Sequence, residues 1–297
     1  MKKVFAIVLT LALLCMATCA SAAGLVGVAM PTQDLQRWNQ DGANMKAQLE
    51  AAGYEVDLQY ANNEVATQVS QIENMILNEV QVLVVASIDG SALGTVLAQA
   101  KEAGIPVIAY DRLLTATEAV DYYTTFDNYK VGQIQGQYVI DTLDLANTDK
   151  TYTIEFTAGS PDDNNAGLFF AGAFDLLKPY LDSGKLVCVS GQTDFATVAT
   201  PAWKSETAQA RMDNILSAYY ADALTGGQTL DICLCSNDST ALGVTNSLVA
   251  AGFTTENIPL ITGQDCDKPN VKNMVKGLQA MSVFKDTRTL AAQTVKM

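Results

Sequence analysis

Six apolar segments of strand length each end in a cluster of carboxylate, amide or cationic side chains, and a helix-like segment follows each cluster. The clusters occupy residues 87–89, 110–112, 159–165, 236–238, 263–265 and 284–286. In a parallel α/β sheet the carboxyl ends of the strands lie along one edge, and ligands bind in the crevice that this edge borders. We therefore expect the six clusters to converge in space and to form one pocket.

Strand and helix patterns alternate along the chain. Continuous apolar runs such as 82–85 are typical of strands buried on both faces, as in parallel sheets covered by helices. The sequence predicts strands at 25–30, 54–60, 82–86, 106–109, 122–126, 152–157, 186–190, 230–235, 259–262 and 279–284. The predicted fold class is α/β, with two doubly wound parallel-sheet lobes joined by a hinge.

A lobe crossing is predicted after the fifth strand, because Asp127 and Asn128 can cap the helix that follows it. We expect an N-terminal lobe at 23–126 and a C-terminal lobe at 127–286, with 287–297 returning to the first lobe. The helix predicted over this last segment has no Gly or Asn stop. We therefore expect the chain to be truncated at its C-terminus.

The first 22 residues have the layout of a signal peptide, with Lys2 and Lys3, an apolar stretch at 4–14, and small residues before a cleavage point after Ala22. The mature protein is thus expected in the periplasm or another extracytoplasmic compartment. Lipoprotein anchoring at Cys15 or Cys19 is the alternative. It is less favoured, because neither cysteine follows the small residue that lipidation usually requires.

Composition restricts the function classes. The formal net charge of −14 disfavours nucleic acid as a partner, since a polyanion is repelled by the long-range field. The chain contains no histidine, which removes the commonest general base and the commonest metal ligand. Gly-rich phosphate or dinucleotide loops and the nucleophile elbow of hydrolases are also missing from the sequence. Catalysis is therefore a minority hypothesis.

Four cysteines follow the signal peptide: Cys188, Cys233, Cys235 and Cys266. An extracytoplasmic compartment permits disulfides. Cys233 and Cys235 lie two residues apart on a predicted strand, which places their Cα atoms near the distance limit for a bridge. We therefore interpret them as small buried hydrophobic residues.

Several polar residues at the strand ends have both a structural and a ligand-binding interpretation. Asp111 and Arg112 either pair with each other or hold adjacent hydroxyl groups through charge-assisted hydrogen bonds. The 162–165 run and Asn237 either cap the following helices or face the pocket, and the 162–165 spacing does not match a calcium loop. Asp265 directly follows an apolar strand, so a turn role is its main alternative.

Trp38 and Trp203 are the only two tryptophans, and each lies near the start of a predicted helix after a strand end. Core packing explains their positions as well as a role in binding does, because tryptophan buries a large apolar area wherever it lies. In a sugar site each indole would cover the C–H face of a ring. Arg37, beside Trp38, favours the binding interpretation.

At these same positions the chain resembles the periplasmic sugar-binding proteins of ABC transporters, in the xylose-binding and multiple-sugar-binding (ChvE-like) branch of the type I periplasmic binding proteins. The stretches that carry the resemblance are 110–112, 159–166, 237–241, 263–265 and 284–288. The resemblance covers the whole mature chain. It implies the type I periplasmic binding protein fold, and relatives of this kind continue beyond the position of Met297.

The resemblance also implies a function. It implies that a monosaccharide is bound between the lobes by Arg37, Trp38, Asp111, Arg112, Asp163, Asn165, Trp203, Asn237, Asp265 and Lys285. It implies delivery of the sugar to an ABC permease in the membrane, with no cofactor, no metal and no catalysis. A sugar sensor for a chemoreceptor or sensor kinase is the alternative, followed by a secreted carbohydrate-active enzyme that uses the same carboxylates.

Overall fold

The computed structural model describes residues 24–297, so the predicted signal peptide and both of its cysteines lie outside the described residues. The first sheet has five parallel strands in the order β2-β1-β3-β4-β5. They are β1 (Leu25–Met30), β2 (Glu55–Tyr60), β3 (Val82–Val85), β4 (Val107–Tyr110) and β5 (Tyr122–Thr124). Helices α1 (Gln36–Ala51), α2 (Val65–Leu77) and α3 (Gly94–Glu102) connect β1 to β4 in turn.

The second sheet has four parallel strands in the order β7-β6-β8-β9. They are β6 (Tyr152–Thr157), β7 (Leu186–Val187), β8 (Ile232–Cys235) and β9 (Leu260–Ile261). The helices are α4 (Asn128–Thr142), α5 (Asn164–Asp182), α6 (Phe195–Val198), α7 (Ser205–Tyr219), α8 (Asp238–Ala250), α9 (Lys268–Lys276) and α10 (Thr287–Val295), with a 3₁₀ turn at Pro201–Trp203. The predicted α/β fold with two parallel-sheet lobes is confirmed.

Helices cover both faces of the first sheet, and successive residues of its central strands point to opposite faces. On one face Val85 joins a core with Ile72 of α2 and Leu97 of α3. On the other face Val84 joins a core with Met45 of α1. Every residue of β3 therefore faces one of two helical layers, which explains why its apolar run is continuous.

Helix α10 packs against α1 on the second face of the first sheet. Leu290 and Ala291 join the core that contains α1, and Asn44 Nδ2 donates to Thr287 Oγ1 at 2.8 Å. The chain passes between the sheets near 125–127 and again near 284–286. The exact lobe boundary at residue 126 stays a prediction.

The strand predicted at 279–284 is wrong. This segment lies beside β9 and donates from Val283 N to Gly263 O at 2.9 Å, but it pairs only through a single bridge between Gln264 and Val283. Asp265 and Cys266 have φ angles of 97° and 53°, in the left-handed region. A strand cannot continue through such a turn, so the ladder ends there.

The strand predicted at 186–190 is correct only in its first part. Strand β7 ends at Val187, and Ser190 N donates to Glu155 Oε1 at 3.0 Å instead of extending the ladder. Glu155 is fully buried in β6 and also accepts from Tyr220 Oη at 2.8 Å. A buried carboxylate needs several hydrogen-bond donors. Here one donor is the backbone N–H of Ser190, which is therefore not available to extend the strand.

The cysteines of β8 are buried hydrophobic residues, as interpreted from the sequence. Cys233 and Cys235 are fully buried in the core of the second lobe, and burial raises the pKa of both thiols. All four cysteines within residues 24–297 are free thiols, although Cys188 and Cys266 are only partly buried.

Helices α4 and α5 approach closely through glycines. A Cβ on Gly132 would overlap the backbone of Phe169 and Ala173, and a Cβ on Gly172 would overlap the backbone of Tyr129. Gly167, on the same helix α5 as Gly172, has open space where a Cβ would lie. The contact between these two helices therefore depends on glycine at 132 and 172.

Gly172→Ala should destabilise the protein by about 1–3 kcal/mol, because the added methyl group pushes two backbones apart. Gly167→Ala is the matched control on the same helix and should be neutral or stabilising by up to about 1 kcal/mol through helix propensity. Urea denaturation measures both. Equal stability of the two variants would contradict the close packing of α4 on α5.

Candidate functional site

A pocket of about 410 Å³ lies between the two sheets, at the carboxyl ends of their strands. All ten residues proposed from the sequence line it: Arg37, Trp38, Asp111, Arg112, Asp163, Asn165, Trp203, Asn237, Asp265 and Lys285. The expected convergence of the strand ends is therefore observed, and ligand contact by these residues stays a prediction.

The first lobe contributes a buried network of three charges. Arg37, on α1, donates from Nε to Asp41 Oδ2 at 3.0 Å and from Nη2 to Asp111 Oδ1 at 2.5 Å. Tyr110 Oη donates to the other oxygen of Asp41 at 2.5 Å. Because each charge is paired and hydrogen-bonded, the network is tolerated in the interior.

Electrostatics keep the pocket-facing members of this network ionised. Burial acts to lower the pKa of Arg37, but Asp111 and Asp41 outweigh it and raise that pKa well above its ordinary value. Burial acts to raise the pKa of Asp111, and the attraction of Arg37 and Lys285 outweighs it, so that pKa is lowered. Asp111 is therefore a permanent hydrogen-bond acceptor at neutral pH.

Contacts across the cleft join the two lobes at the pocket. Arg112 Nε lies 3.0 Å from Asp163 Oδ2, and Asn165 Nδ2 donates to the carbonyl oxygen of Asp111 at 2.9 Å. Asn128 Nδ2 donates to Asn165 Oδ1 at 2.9 Å. Asp111 and Arg112 thus pair with other residues, so the mutual pair considered from the sequence is wrong.

Two pocket residues of the second lobe also cap helices. Asp163 is the N-cap of α5 and accepts from Asn165 N at 2.9 Å, while its other oxygen accepts from Trp203 Nε1 at 3.2 Å. Asn237 is the N-cap of α8 and accepts from Thr240 N at 2.9 Å. The capping and pocket interpretations of the sequence therefore both hold for each residue.

Three pocket residues have left-handed backbone conformations. The φ angles are 61° at Asp111, 58° at Trp203 and 97° at Asp265. Such conformations are costly for residues other than glycine and occur at functional sites, where the surrounding structure enforces them. Asp111 follows a strand directly, whereas Trp203 lies in the 3₁₀ turn, and no sequence pattern indicated these conformations.

The two tryptophans are core residues and pocket residues at once. Trp38 is 2% exposed and Trp203 is 4% exposed, and both line the pocket. The guanidinium carbons of Arg37 and Arg112 lie 4.9 and 5.0 Å from the Trp38 ring centroid. A Cβ on Gly159 would overlap the Trp203 indole, so this glycine sets how closely the ring approaches the strand end.

Lys285 completes the polar lining. Its ammonium lies 3.2 Å from Asp265 Oδ1 and 5.2 Å from the centroid of the Phe169 ring. Lys285 is only 4% exposed, and a buried cation is normally paired in this way. Each cation of the pocket has a carboxylate partner within the pocket or directly beneath it.

Five further lining residues were missed from the sequence: Leu35, Phe169, Ser239, Gln264 and Asp267. Phe169 follows Asn165 by one helical turn on α5, so helical spacing offered a signal. Gln264 precedes Asp265 directly, and Ser239 follows Asn237 by two residues. No sequence pattern indicated Asp267, because the left-handed turn at Asp265 and Cys266 is what brings it to the pocket.

Asp267 belongs to a group of carboxyl groups behind the pocket. Its backbone N donates to Asp238 Oδ2 at 2.8 Å, and Asp238 also accepts from Gln279 Nε2 at 3.0 Å. Burial, and secondly the nearby charge of Asp265, raise the pKa of both Asp238 and Asp267 to about 7. Asp267 therefore changes charge near neutral pH.

Neither a membrane span nor a metal cluster occurs in the described part of the chain. No helix within residues 24–297 combines the length and the apolar character that a bilayer crossing needs. The same residues contain no group of three His, Cys, Asp or Glu side chains arranged as metal ligands.

Comparison with known proteins identifies the family. The chain matches the model of the periplasmic binding protein domain over residues 26–297, and it belongs to this family. It is 49% identical over 280 residues to the multiple sugar-binding periplasmic receptor ChvE of Rhizobium radiobacter, covering 94% of this chain and 78% of that protein. The resemblance inferred from the strand ends is confirmed.

Two other relatives agree with this placement. The D-xylose-binding periplasmic protein of Escherichia coli K12 is 38% identical over 266 residues, covering 90% of this chain and 74% of that protein. The crystal structure of an ABC transporter solute-binding protein from Clostridium phytofermentans, which contains bound β-D-glucose, superposes with a TM-score of 0.88. It is 62% identical, and the match covers 92% of this chain and 82% of that one.

The raised pKa of Asp267 predicts a pH-dependent stability. Asp267 faces Asp265, Arg37 and Lys285, and the folded chain holds its proton more tightly than the unfolded chain, whose Asp pKa is about 4. The folded state then binds more protons between about pH 4 and pH 7. The stability from this group is therefore present at low pH and is lost as pH rises through that window.

Asp267→Asn removes this titration. The free energy of unfolding of the wild type, minus that of Asp267→Asn, should fall by about 2 kcal/mol between pH 5 and pH 8. Asp149→Asn, at an exposed aspartate, is the control and should show a constant difference. Denaturant titrations at several pH values measure both, and a constant difference for Asp267→Asn would show that its carboxyl is already ionised at pH 5.

Proposed function

We propose that this protein is an extracytoplasmic solute-binding protein that holds one neutral monosaccharide, an aldose, in the pocket between its lobes and delivers it to an ABC-type permease. The observation that carries the proposal is the convergence of ten polar and aromatic side chains from both lobes on one pocket. The relatives named above as sugar-binding receptors support it.

The charge balance of the pocket favours an uncharged ligand. Arg37 pairs with Asp111, Arg112 with Asp163, and Lys285 with Asp265. A phosphate or carboxylate ligand would compete with one of these buried carboxylates. A sugar hydroxyl both donates and accepts, so it can bridge a carboxylate and a neighbouring guanidinium without displacing either.

The aromatic side chains fit the apolar faces of a pyranose. Trp38 lies on the first-lobe side of the pocket, and Trp203, supported edge-on by Phe169 at a centroid distance of 6.2 Å, lies on the second-lobe side. Stacking of sugar C–H groups on such rings adds apolar contact to the charge-assisted hydrogen bonds. The bound ring would thus be held by its edges and by its faces.

Binding couples to closure of the lobes. Ligand residues come from both sides of the cleft, so a sugar bound to one lobe gains its remaining contacts only when the lobes close. Hinge closure of this kind is the general behaviour of periplasmic binding proteins. A permease that recognises the closed lobe pair would therefore receive loaded protein in preference to empty protein.

We also propose that the protein performs no chemistry on the sugar. The chain has no histidine, the commonest general base, and the relatives named above are sugar-binding receptors. The predicted signal peptide and the periplasmic relatives support an extracytoplasmic location. The bound sugar should be recovered unchanged after prolonged incubation.

Asp265→Asn tests the site. A thermal-shift screen of aldopentoses and aldohexoses first identifies the ligand, because a ligand that binds only the folded state raises the melting temperature. The substitution keeps the shape of the side chain but removes the charge beside Lys285, so we expect sugar affinity to fall about 100-fold in calorimetry.

Asp286→Asn is the matched control. Asp286 lies beside Lys285 in the sequence, but it pairs with Arg288 at the surface and does not line the pocket. This variant should bind the sugar like the wild type. Unchanged affinity in Asp265→Asn would remove that residue from the site, and the absence of binding by any aldose would refute the proposed function.

Delivery to a permease is tested separately. Sugar-loaded protein should stimulate ATP hydrolysis by an ABC sugar permease of the same organism, reconstituted in proteoliposomes, and sugar-free protein should stimulate it less. If the loaded protein leaves the permease unaffected and binds a chemoreceptor or sensor kinase instead, its role is sensing.

A further inference from the structure

A second cavity adjoins the interlobe pocket at the mouth of the cleft. It contains about 1300 Å³ of space, part of it open to solvent. Gln36 and Asn63 line it from the first lobe, and Lys204, Glu206 and Asn270 line it from the second. We call this cavity the vestibule.

The vestibule and the pocket share part of their walls. Leu35, Ser239 and Asp267 line both cavities. The two cavities are therefore adjacent. Because both lobes line the vestibule, a group bound there would also gain contacts on closure.

Two buried polar atoms of residues that line the vestibule lack partners within residues 24–297. They are Gln36 Nε2, a donor, and Asp267 Oδ1, an acceptor. The other amide atom of Gln36 is used, since Gln36 Oε1 accepts from Lys268 N at 3.2 Å across the cleft. Buried polar groups are normally hydrogen-bonded, and one hydroxyl group can satisfy a donor and an acceptor together.

The rest of the vestibule has the mixed character of a carbohydrate surface. Asn63 supplies an amide that can both donate and accept, and Leu242 and Pro269 supply apolar surface. Lys204 is outnumbered by the carboxylates of the lining, so the vestibule favours a neutral group over an acidic one.

We infer that the vestibule is a second hydroxyl-binding subsite, and that the protein accepts a disaccharide with one ring in the pocket and the next ring in the vestibule. This inference rests on the proposed function, since the first ring takes the pocket described above. It extends the substrate class from single aldoses to short neutral saccharides.

Asn63→Gly tests the subsite without disturbing the backbone. Asn63 has a φ angle of 60°, which glycine adopts without strain. The matched control is Asn62→Gly, because Asn62 has a φ angle of 51° and is exposed, but does not line the vestibule. Lys204→Met provides a second variant from the opposite lobe.

Calorimetry with glucose, cellobiose, maltose, isomaltose and trehalose gives the readout, with the corresponding disaccharides used if another aldose binds more tightly. At least one disaccharide should bind within tenfold of the monosaccharide. Asn63→Gly should weaken that disaccharide about fivefold, the effect of one hydrogen bond, and leave the monosaccharide unchanged. Asn62→Gly should change neither.

Three results distinguish the possibilities. If monosaccharides bind and no disaccharide does, the vestibule is only an entrance and the inference is overturned. It is equally overturned if a disaccharide binds but neither Asn63→Gly nor Lys204→Met alters its affinity. If no saccharide of either size binds, the proposed function itself fails.

Discussion

The buried guanidinium of Arg37, held between Asp41 and Asp111, is the interaction on which the binding face of the first lobe depends. It places the carboxylate of Asp111 at the pocket and that of Asp41 behind it, where Tyr110 Oη also donates to Asp41. Removing one partner of such a group leaves an uncompensated buried charge, which costs far more than the pair contributes. The three charges therefore act as one rigid unit, and the position of Asp111 follows from them.

This rigidity extends across the cleft. The carbonyl oxygen of Asp111 accepts from Asn165 of the second lobe, and the neighbouring Arg112 meets Asp163. Both second-lobe residues lie at the start of helix α5, so the helix, and not a loop, holds them in position. Side chains supported in this way lose little conformational entropy when a ligand binds, which is the condition for high affinity from few contacts.

The sequence was sufficient to locate the site because parallel strands end at one edge, and the polar residues after β4, β6, β8 and β9 could only meet there. It was not sufficient to assign partners. Arg112 follows Asp111 directly, yet the left-handed backbone at Asp111 turns the two side chains toward different partners. The same kind of turn at Asp265 ends the pairing opposite the segment 279–284, which forms only one bridge, and it brings Asp267 to the pocket, which the sequence did not indicate. Sequence periodicity carries no information on such turns, since tertiary contacts enforce them.

Helix capping and a position in the pocket lining are compatible for one residue, although the sequence posed capping and a pocket role as alternatives. A capping side chain needs only one acceptor for the helix, and both Asp163 and Asn237 keep further polar atoms for other partners. The capping hydrogen bond holds the side chain in one orientation, and this also fixes the position of its remaining polar atoms in the pocket wall. A polar residue that follows a strand and precedes a helix is thus well placed for both roles, because the strand end sets its position and the helix start sets its orientation.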